Sequence, residues 1–575
     1  MPETSLDSCI NVQPSDACNS DLNEQSYIMS RYDYLRKYAS SDTWSPSTSP
    51  ETVQQAQMAI HAIQNNHDVS ATMLESLISL TYHFNSLAEL LVDPGLVQDC
   101  ILYLHRRERE DIQVFDDEKG YLCFRILVLA INTLMISNYN NPALWYLLAS
   151  KDGSEDADEL LSKEVELFVI RLKDGPDPDK ILGWDLHAPH SIIISKGNAL
   201  LLLDLLFKDR KGFLRAWSET RCPTLSGLLF ILRRSAHTPI VPAHLVSFID
   251  IARRNRLAST ENIDRCPEFE QDITKHGQIW LSRDATATVD LEDARTQLSL
   301  LTKRLHFDPA VDSSPNRFAM TAIALVLHTL PKPKEGFVPG VEDLFVPLIE
   351  ETFRSTWSLL GVEFTREPIF PNTLLEYFGA FVMEINGILE HLIEHPAAAV
   401  TPKEVLQVIV DSGVVEMMSK SILYIDGSDC MGIHGERHLS ETLRTFRIFE
   451  DKCRRVLGPH GLNEMFEHTF IDWFKTLTYK YIHDGIYGTH SQHEEWFKKV
   501  MHFWRRLGDM LGHTFREMQH GTLVLECSYA RCHDPRATRI VALSCICGQA
   551  IYCGTRCQQM DWETHSARAH RSICN

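Results

Sequence analysis

The distribution of cysteine constrains this chain more than any other feature of its sequence. Of 15 cysteines in 575 residues, seven lie in the last 49, where the density of the remaining chain would place fewer than one. In a reducing compartment such crowding is typical of metal ligation, not of disulfides. A segment this short cannot build a useful apolar core, so it is predicted to obtain its folding energy from bound metal.

The candidate ligands fall into four pairs with short internal spacing. Short spacing matters because both side chains must reach one ion, which lies about 2.3 Å from each thiolate sulfur. Four pairs predict two tetrahedral Zn²⁺ sites, and filling every position with a protein ligand makes both ions structural and not catalytic. The pairs are Cys527 and Cys532, Cys545 and Cys547, Cys553 and Cys557, and His570 and Cys574.

Two histidines compete for the last pair. Residues four apart share one face of a helix, so His570 and Cys574 can reach one ion together. His565 and Cys574 are nine residues apart and would point to opposite sides of a helix. The spacing therefore favours His570, with His565 as the alternative.

The C-terminal segment "CSYARC…CICGQAIYCGTRCQQMDW…HRSIC" resembles a MYND-type zinc finger, over about 50 of the 575 residues. It departs from the family pattern in the x4 spacing of its first pair and in the Cys545-x-Cys547 spacing of its second. His565 fits the family's Trp-x2-His spacing, whereas His570 fits its His-x3-Cys spacing. The residues that match the pattern are Tyr552, Cys553, Cys557, Gln558, Asp561 and Trp562.

The resemblance implies a cross-braced arrangement of ligands. Trp562 is expected to pack between the two zinc sites, although the same helix can instead form part of a shallow peptide-binding groove. In function, the resemblance implies capture of a protein or peptide partner, in particular a proline-containing segment. The first zinc would be held by Cys527, Cys532, Cys553 and Cys557, and the second by Cys545, Cys547, His570 and Cys574.

The rest of the chain predicts a mainly α fold in three parts. Residues 1–48 read as a disordered and linker segment because they are polar and end in a Ser/Pro-rich stretch. Residues 49–519 show helical periodicity and helix starts, and residues 523–575 form the finger. The helix-start signals are Ser49 with Pro50, Thr373 with Glu376, and Thr401 with Glu404.

Two distant stretches of the helical region share the pattern Val-Asp-x-Gly-x-Val, at 92–97 and 410–415. In each, one helix is expected to stop at the glycine and a second to begin at once. Such joints occur in armadillo- or HEAT-type repeats, where stacked helical hairpins share a core. An irregular all-α domain that uses the same turn twice is the alternative.

Charge and composition reduce the number of possible functions. A net charge of −21 argues against direct binding to nucleic acid or to an anionic membrane. The apolar runs are short or interrupted and predict buried helices, and the acidic N-terminus does not read as a signal sequence, so the protein is expected inside the cell, in nucleus or cytoplasm.

The leading prediction is a non-enzymatic adaptor or regulatory protein that binds a partner through its finger. The alternative is a protein lysine methyltransferase of the MYND/SET type. It is disfavoured because in those enzymes catalytic-domain sequence flanks the finger, and no such motif is found here. The sequence does not identify the partner, the pathway or the oligomeric state.

Overall fold

In a computed structural model, the chain divides into two compact units, Met1–His276 and Gly277–Asn575. The predicted boundaries at 49, 519 and 523 stay predictions. The structure describes the following residues: 31–39, 49–81, 91–138, 157–172, 178–185, 192–220, 222–237, 242–259, 289–307, 318–319, 322–323, 326, 337–361, 371–424, 433–470, 473–474, 476–477, 491–513, 527–529, 543–545, 550–552, 554–563, 570 and 574.

The first unit is built from helices. Within the segment predicted as linker, a short 3-10 helix, Asp33–Tyr38, buries Leu35 and Tyr38, and the Tyr34 hydroxyl donates to the Phe115 carbonyl at 2.9 Å. The α-helices are α1 Pro50–Gln64, α2 Ala71–Thr81, α3 Pro94–Arg109, α4 Glu118–Asn138, α5 Ala157–Leu172, α6 Pro178–Ile181, α7 Lys196–Lys208, α8 Arg210–Glu219, α9 Ser226–Ala236 and α10 Pro242–Ala258.

Helix α4 is the centre of this unit. Its residues from Gly120 to Ile136 are buried without a break, and it packs against α2, α3, α5 and α9. Among the described residues it is the one helix with the length and composition to cross a membrane, but the surrounding helices enclose it. It therefore has the properties of a core helix, as the sequence predicted for this run.

Helix α10 carries a buried ion-pair cluster. Asp250 accepts hydrogen bonds from Arg253 Nη2 at 3.1 Å and from Arg254 Nε at 2.7 Å, and all three side chains are buried. Burial by itself would raise the pKa of Asp250, but Arg254 and Arg253 outweigh burial and lower it to about 2. The carboxylate is therefore ionised at neutral pH and stabilises two buried guanidinium groups.

The second unit continues the helical architecture. The helix Ile433–Phe466 is broken at Gly458, where φ is 76° and the backbone leaves the helical region. The α-helices of the second unit that precede the C-terminal segment are α11 Leu291–Arg304, α12 Phe345–Gly361, α13 Pro371–Glu394, α14 Pro402–Asp411, α15 Val414–Tyr424, α16 Ile433–Phe466 and α17 Ser491–Met510.

Helix α17 packs its apolar stripe inward. Val500, Trp504, Leu507 and Leu511 recur at helical spacing and are all buried. Trp504 and Trp473 donate their indole N–H groups to each other's backbone carbonyl at 2.8 Å. This reciprocal bonding satisfies two buried polar groups and ties the two segments together.

The helical body confirms the mainly α prediction; the relation to armadillo or HEAT repeats stays a prediction. Two helix starts form as expected. Ser49 lies directly before Pro50, and its side chain accepts a hydrogen bond from the Thr52 amide. Thr401 and Glu404 form a complete capping box. The start predicted at Thr373 is wrong, because α13 already begins at Pro371.

The two Val-Asp-x-Gly-x-Val stretches fold differently. At the second, α14 ends at Asp411, Gly413 takes φ +74°, and α15 begins at Val414, as predicted. At the first, Asp93 caps α3 by accepting from the Gly95 amide at 2.8 Å, and Gly95 lies inside the helix. The expected stop at this glycine is therefore wrong, because Pro94 starts a helix one residue earlier.

Candidate metal centre

A short β-hairpin positions the first predicted ligand of the centre. Strands β1 (Leu543–Ser544) and β2 (Ile551–Tyr552) are antiparallel, with Leu543 opposite Tyr552. The Cys545 amide continues the pairing by donating to the Ala550 carbonyl at 2.8 Å. This hydrogen bond fixes the backbone of Cys545 at the end of β1.

The last predicted pair is fixed by one helical hydrogen bond. The Cys574 amide donates to the His570 carbonyl at 2.8 Å, which is the spacing of one α-helical turn. This is the local geometry expected from the His-x3-Cys spacing, and it places both side chains on one side of the turn.

Three of the predicted ligands meet in space. One ligand atom from each of Cys545, His570 and Cys574 lies within 4.8 Å of the other two, and the two sulfur atoms are 3.4 Å apart. Two thiolates on one tetrahedral zinc ion are about 3.7 Å apart, given Zn–S bonds of about 2.3 Å. The group has both the donor atoms and the separation needed to hold a metal ion.

Burial supports the same conclusion. His570 is buried and the two cysteines are half-buried. A buried imidazole beside two thiols places the nitrogen and sulfur donors that zinc prefers in one partly enclosed site. In the part of the chain that the structure describes, this is the one cluster of three or more potential ligands.

The remaining predicted ligands divide into described and undescribed residues. Cys527 and Cys557, two members of the ligand set implied for the first zinc, are buried in one apolar cluster with Leu543, Ala550 and Tyr552. Four further candidates lie outside the described residues: Cys532, Cys547, Cys553 and His565. The presence of two zinc ions, the choice of His570 over His565 and the full ligand set therefore stay predictions.

Helix α18 (Thr555–Glu563) lies beside the metal group. The Tyr552 hydroxyl donates to Asp561 Oδ2 at 2.8 Å and so joins the hairpin to this helix. The His570 ring lies 6.4 Å from the Tyr552 ring and 6.5 Å from the Trp562 ring, between centroids. This hydrogen bond has no signal in the sequence, because it depends on how the strand and the helix pack.

Trp562 differs from its expected position. Its side chain is 42% exposed, and Met560 on the same helix is 43% exposed. The expectation that Trp562 packs between two zinc sites is therefore wrong. The helix instead presents two large apolar side chains to solvent, next to the candidate metal group.

Comparison with protein-family models, with curated proteins and with solved structures found no match to this chain.

Proposed function

We propose that this chain is a zinc-binding interaction protein, in which a C-terminal MYND-type finger captures a peptide segment of a partner protein and the helical body serves as its scaffold. The observation that carries the proposal is the convergence of Cys545, His570 and Cys574 within 4.8 Å. Thiolate and imidazole donors together suit zinc better than the oxygen-preferring cations Mg²⁺ and Ca²⁺.

We infer a structural role for the ions from the number of their protein ligands. Cys547 would complete the group that contains His570, and Cys532 and Cys553 would join Cys527 and Cys557 around a second ion. With four protein ligands each, neither ion keeps an open position for water or substrate. Bound zinc would supply folding energy, while the side chains of α18 make the contacts with the partner.

The exposed apolar side chains of α18 support the binding part of the proposal. Met560 and Trp562 are among the large apolar residues that a folded domain usually covers, and both are more than two-fifths exposed. Tryptophan and methionine are enriched where proteins bind peptides, since they offer a large contact area and adaptable packing. We propose that a short apolar peptide segment, with proline as one candidate residue, binds against these exposed side chains.

Affinity capture from cells tests the proposal. The full chain is compared with Met560→Ser, Trp562→Ala and the matched control Ile448→Ser, whose side chain on α16 is equally exposed at 43%. We expect the finger variants to lose specific partners that the wild type and Ile448→Ser retain, while binding the same amount of zinc. Equal partner sets for all four proteins would refute a binding role for α18.

A further inference from the structure

The hydrogen bond between Tyr552 and Asp561 joins the β-hairpin to α18. Both side chains are buried, and the donor lies in β2 while the acceptor lies in α18. The hairpin that contains Tyr552 also fixes Cys545 through the Cys545–Ala550 backbone hydrogen bond. The helix that contains Asp561 carries Met560 and Trp562 on either side of it. One buried hydrogen bond thus joins the element that holds a candidate ligand to the element that is exposed to solvent.

His570 is enclosed by the same two elements. Its ring lies at contact distance from the Tyr552 ring of the hairpin and from the Trp562 ring of the helix, at 6.4 and 6.5 Å between centroids. The imidazole can stay beside Cys545 and Cys574 only while hairpin and helix keep their separation. Among the described residues, the Tyr552–Asp561 bond is a buried side-chain hydrogen bond that joins these two elements directly.

We propose that Tyr552 and Asp561 are positioning residues, whose hydrogen bond sets the distance between the hairpin and α18 and thereby controls both retention of the metal and the order of α18. This inference rests on the proposed function in one respect, that the group binds zinc. Neither residue acts as a ligand. Each acts through the elements that hold His570 and Cys545, much as outer-shell partners orient the ligands of other metal sites.

The test uses the full-length chain loaded with Zn²⁺ or, for spectroscopy, with Co²⁺. Tyr552→Phe removes the hydroxyl and leaves the ring. Tyr529→Phe is the matched control, because Tyr529 packs against the same apolar cluster and its hydroxyl makes no hydrogen bond within the described residues. The measurements are the rate of zinc release to a chromogenic chelator and the hydrogen exchange of the α18 backbone.

We expect Tyr552→Phe to release its metal about tenfold faster and to exchange the α18 amides faster, since one buried hydrogen bond corresponds to about that factor. Tyr529→Phe should match the wild type in both measurements. Equal release and exchange rates for the two variants would overturn the proposal, as would faster metal release with unchanged exchange of α18.

The acceptor provides an independent check in case Tyr552→Phe fails to fold. Asp561→Asn keeps an oxygen that can accept from Tyr552, so it should stay within about twofold of the wild type, whereas Asp561→Ala should resemble Tyr552→Phe. The double variant should be no worse than either single change, because both remove the same bond. Additive losses, or an Asn variant as impaired as the Ala variant, would contradict a role through this bond.

The outcomes also separate this inference from the function proposed above. A wild-type chain that binds neither zinc nor cobalt would refute the metal-binding function itself. A wild type with a normal cobalt–thiolate spectrum and variants indistinguishable from it would refute the positioning role and leave metal binding intact.

Discussion

The helical body and the C-terminal finger bury apolar side chains on very different scales. Helix α4 alone is buried from Gly120 to Ile136, whereas the described residues of the finger form one apolar cluster with five buried members. Burial of a large aliphatic or aromatic side chain contributes about 1.5–3 kcal/mol, so packing contributes far more to the body than to the described residues of the C-terminal segment. Domains of this size need another source of stability, and this segment concentrates candidate metal ligands.

The largest effect expected from this comparison concerns a single ligand. His570→Ala should release the metal of its group and unfold the C-terminal turn, because a structural zinc site contributes roughly 10–16 kcal/mol. His565→Ala should retain the metal. A chromogenic chelator measures the release, and far-ultraviolet circular dichroism should show the helical body unchanged in both variants. Release from His565→Ala and not from His570→Ala would mean that the chain bends between residues 566 and 569 to bring Cys574 back to the ion.

The stability of the helical body should instead be most sensitive to the loss of a partner from its buried ion-pair cluster. Asp250→Asn removes the carboxylate that Arg253 and Arg254 share, and we expect a loss of about 3–5 kcal/mol in the free energy of unfolding of the first unit. The control is Asp343→Asn, which removes a half-exposed partner of Arg295 and should cost under about 1 kcal/mol. Urea titration followed by circular dichroism measures both. Similar losses for the two variants would show that burial does not determine the effect.

The same carboxylate predicts a pH dependence of the body. The folded pKa of Asp250 is lowered from 3.8 to about 2, so its contribution of about 2 kcal/mol is present above pH 3.8 and is lost as the pH falls toward 2. Urea midpoints of the wild type should therefore fall more steeply between pH 4 and 2 than those of Asp250→Asn. Parallel curves would contradict the assignment.

The smallest effect lies at a helix end. Thr401→Ala removes the side chain that accepts from the Glu404 amide, at a cost of about 1 kcal/mol. Thr401→Ser keeps the acceptor and should be nearly neutral. Thermal melting of the two variants distinguishes them. A Ser variant as unstable as the Ala variant would show that the methyl group, and not the cap, matters.

These regions also differ in how far the sequence predicts them. Caps at Ser49 and Thr401 are predictable because donor and acceptor lie within three residues of each other. The cap at Thr373 fails because Pro371 is itself a favoured helix start and extends the helix. The two similar glycine joints diverge because Pro94 follows Asp93 in one, whereas Gly413 must take a positive φ in the other.

The metal group was predictable for a related reason. His570 and Cys574 are four residues apart, which is one helical turn, so local backbone geometry brings the two side chains together. Cys545 reaches them through folding of the hairpin, which the sequence indicated only through the resemblance to a known finger. The exposure of Trp562 and the Tyr552–Asp561 bond depend on tertiary packing and have no local signature.

Metal, and not apolar burial, is expected to hold the C-terminal segment together. Elemental analysis of the purified full chain, compared with a version that ends at Gln519, is the direct test of this claim. We expect two zinc ions per full chain, none in the shorter version, and cooperative melting of the helical body in both. A full chain with one zinc ion would contradict the two-site arrangement, and a full chain without zinc that keeps a folded finger would contradict the claim itself.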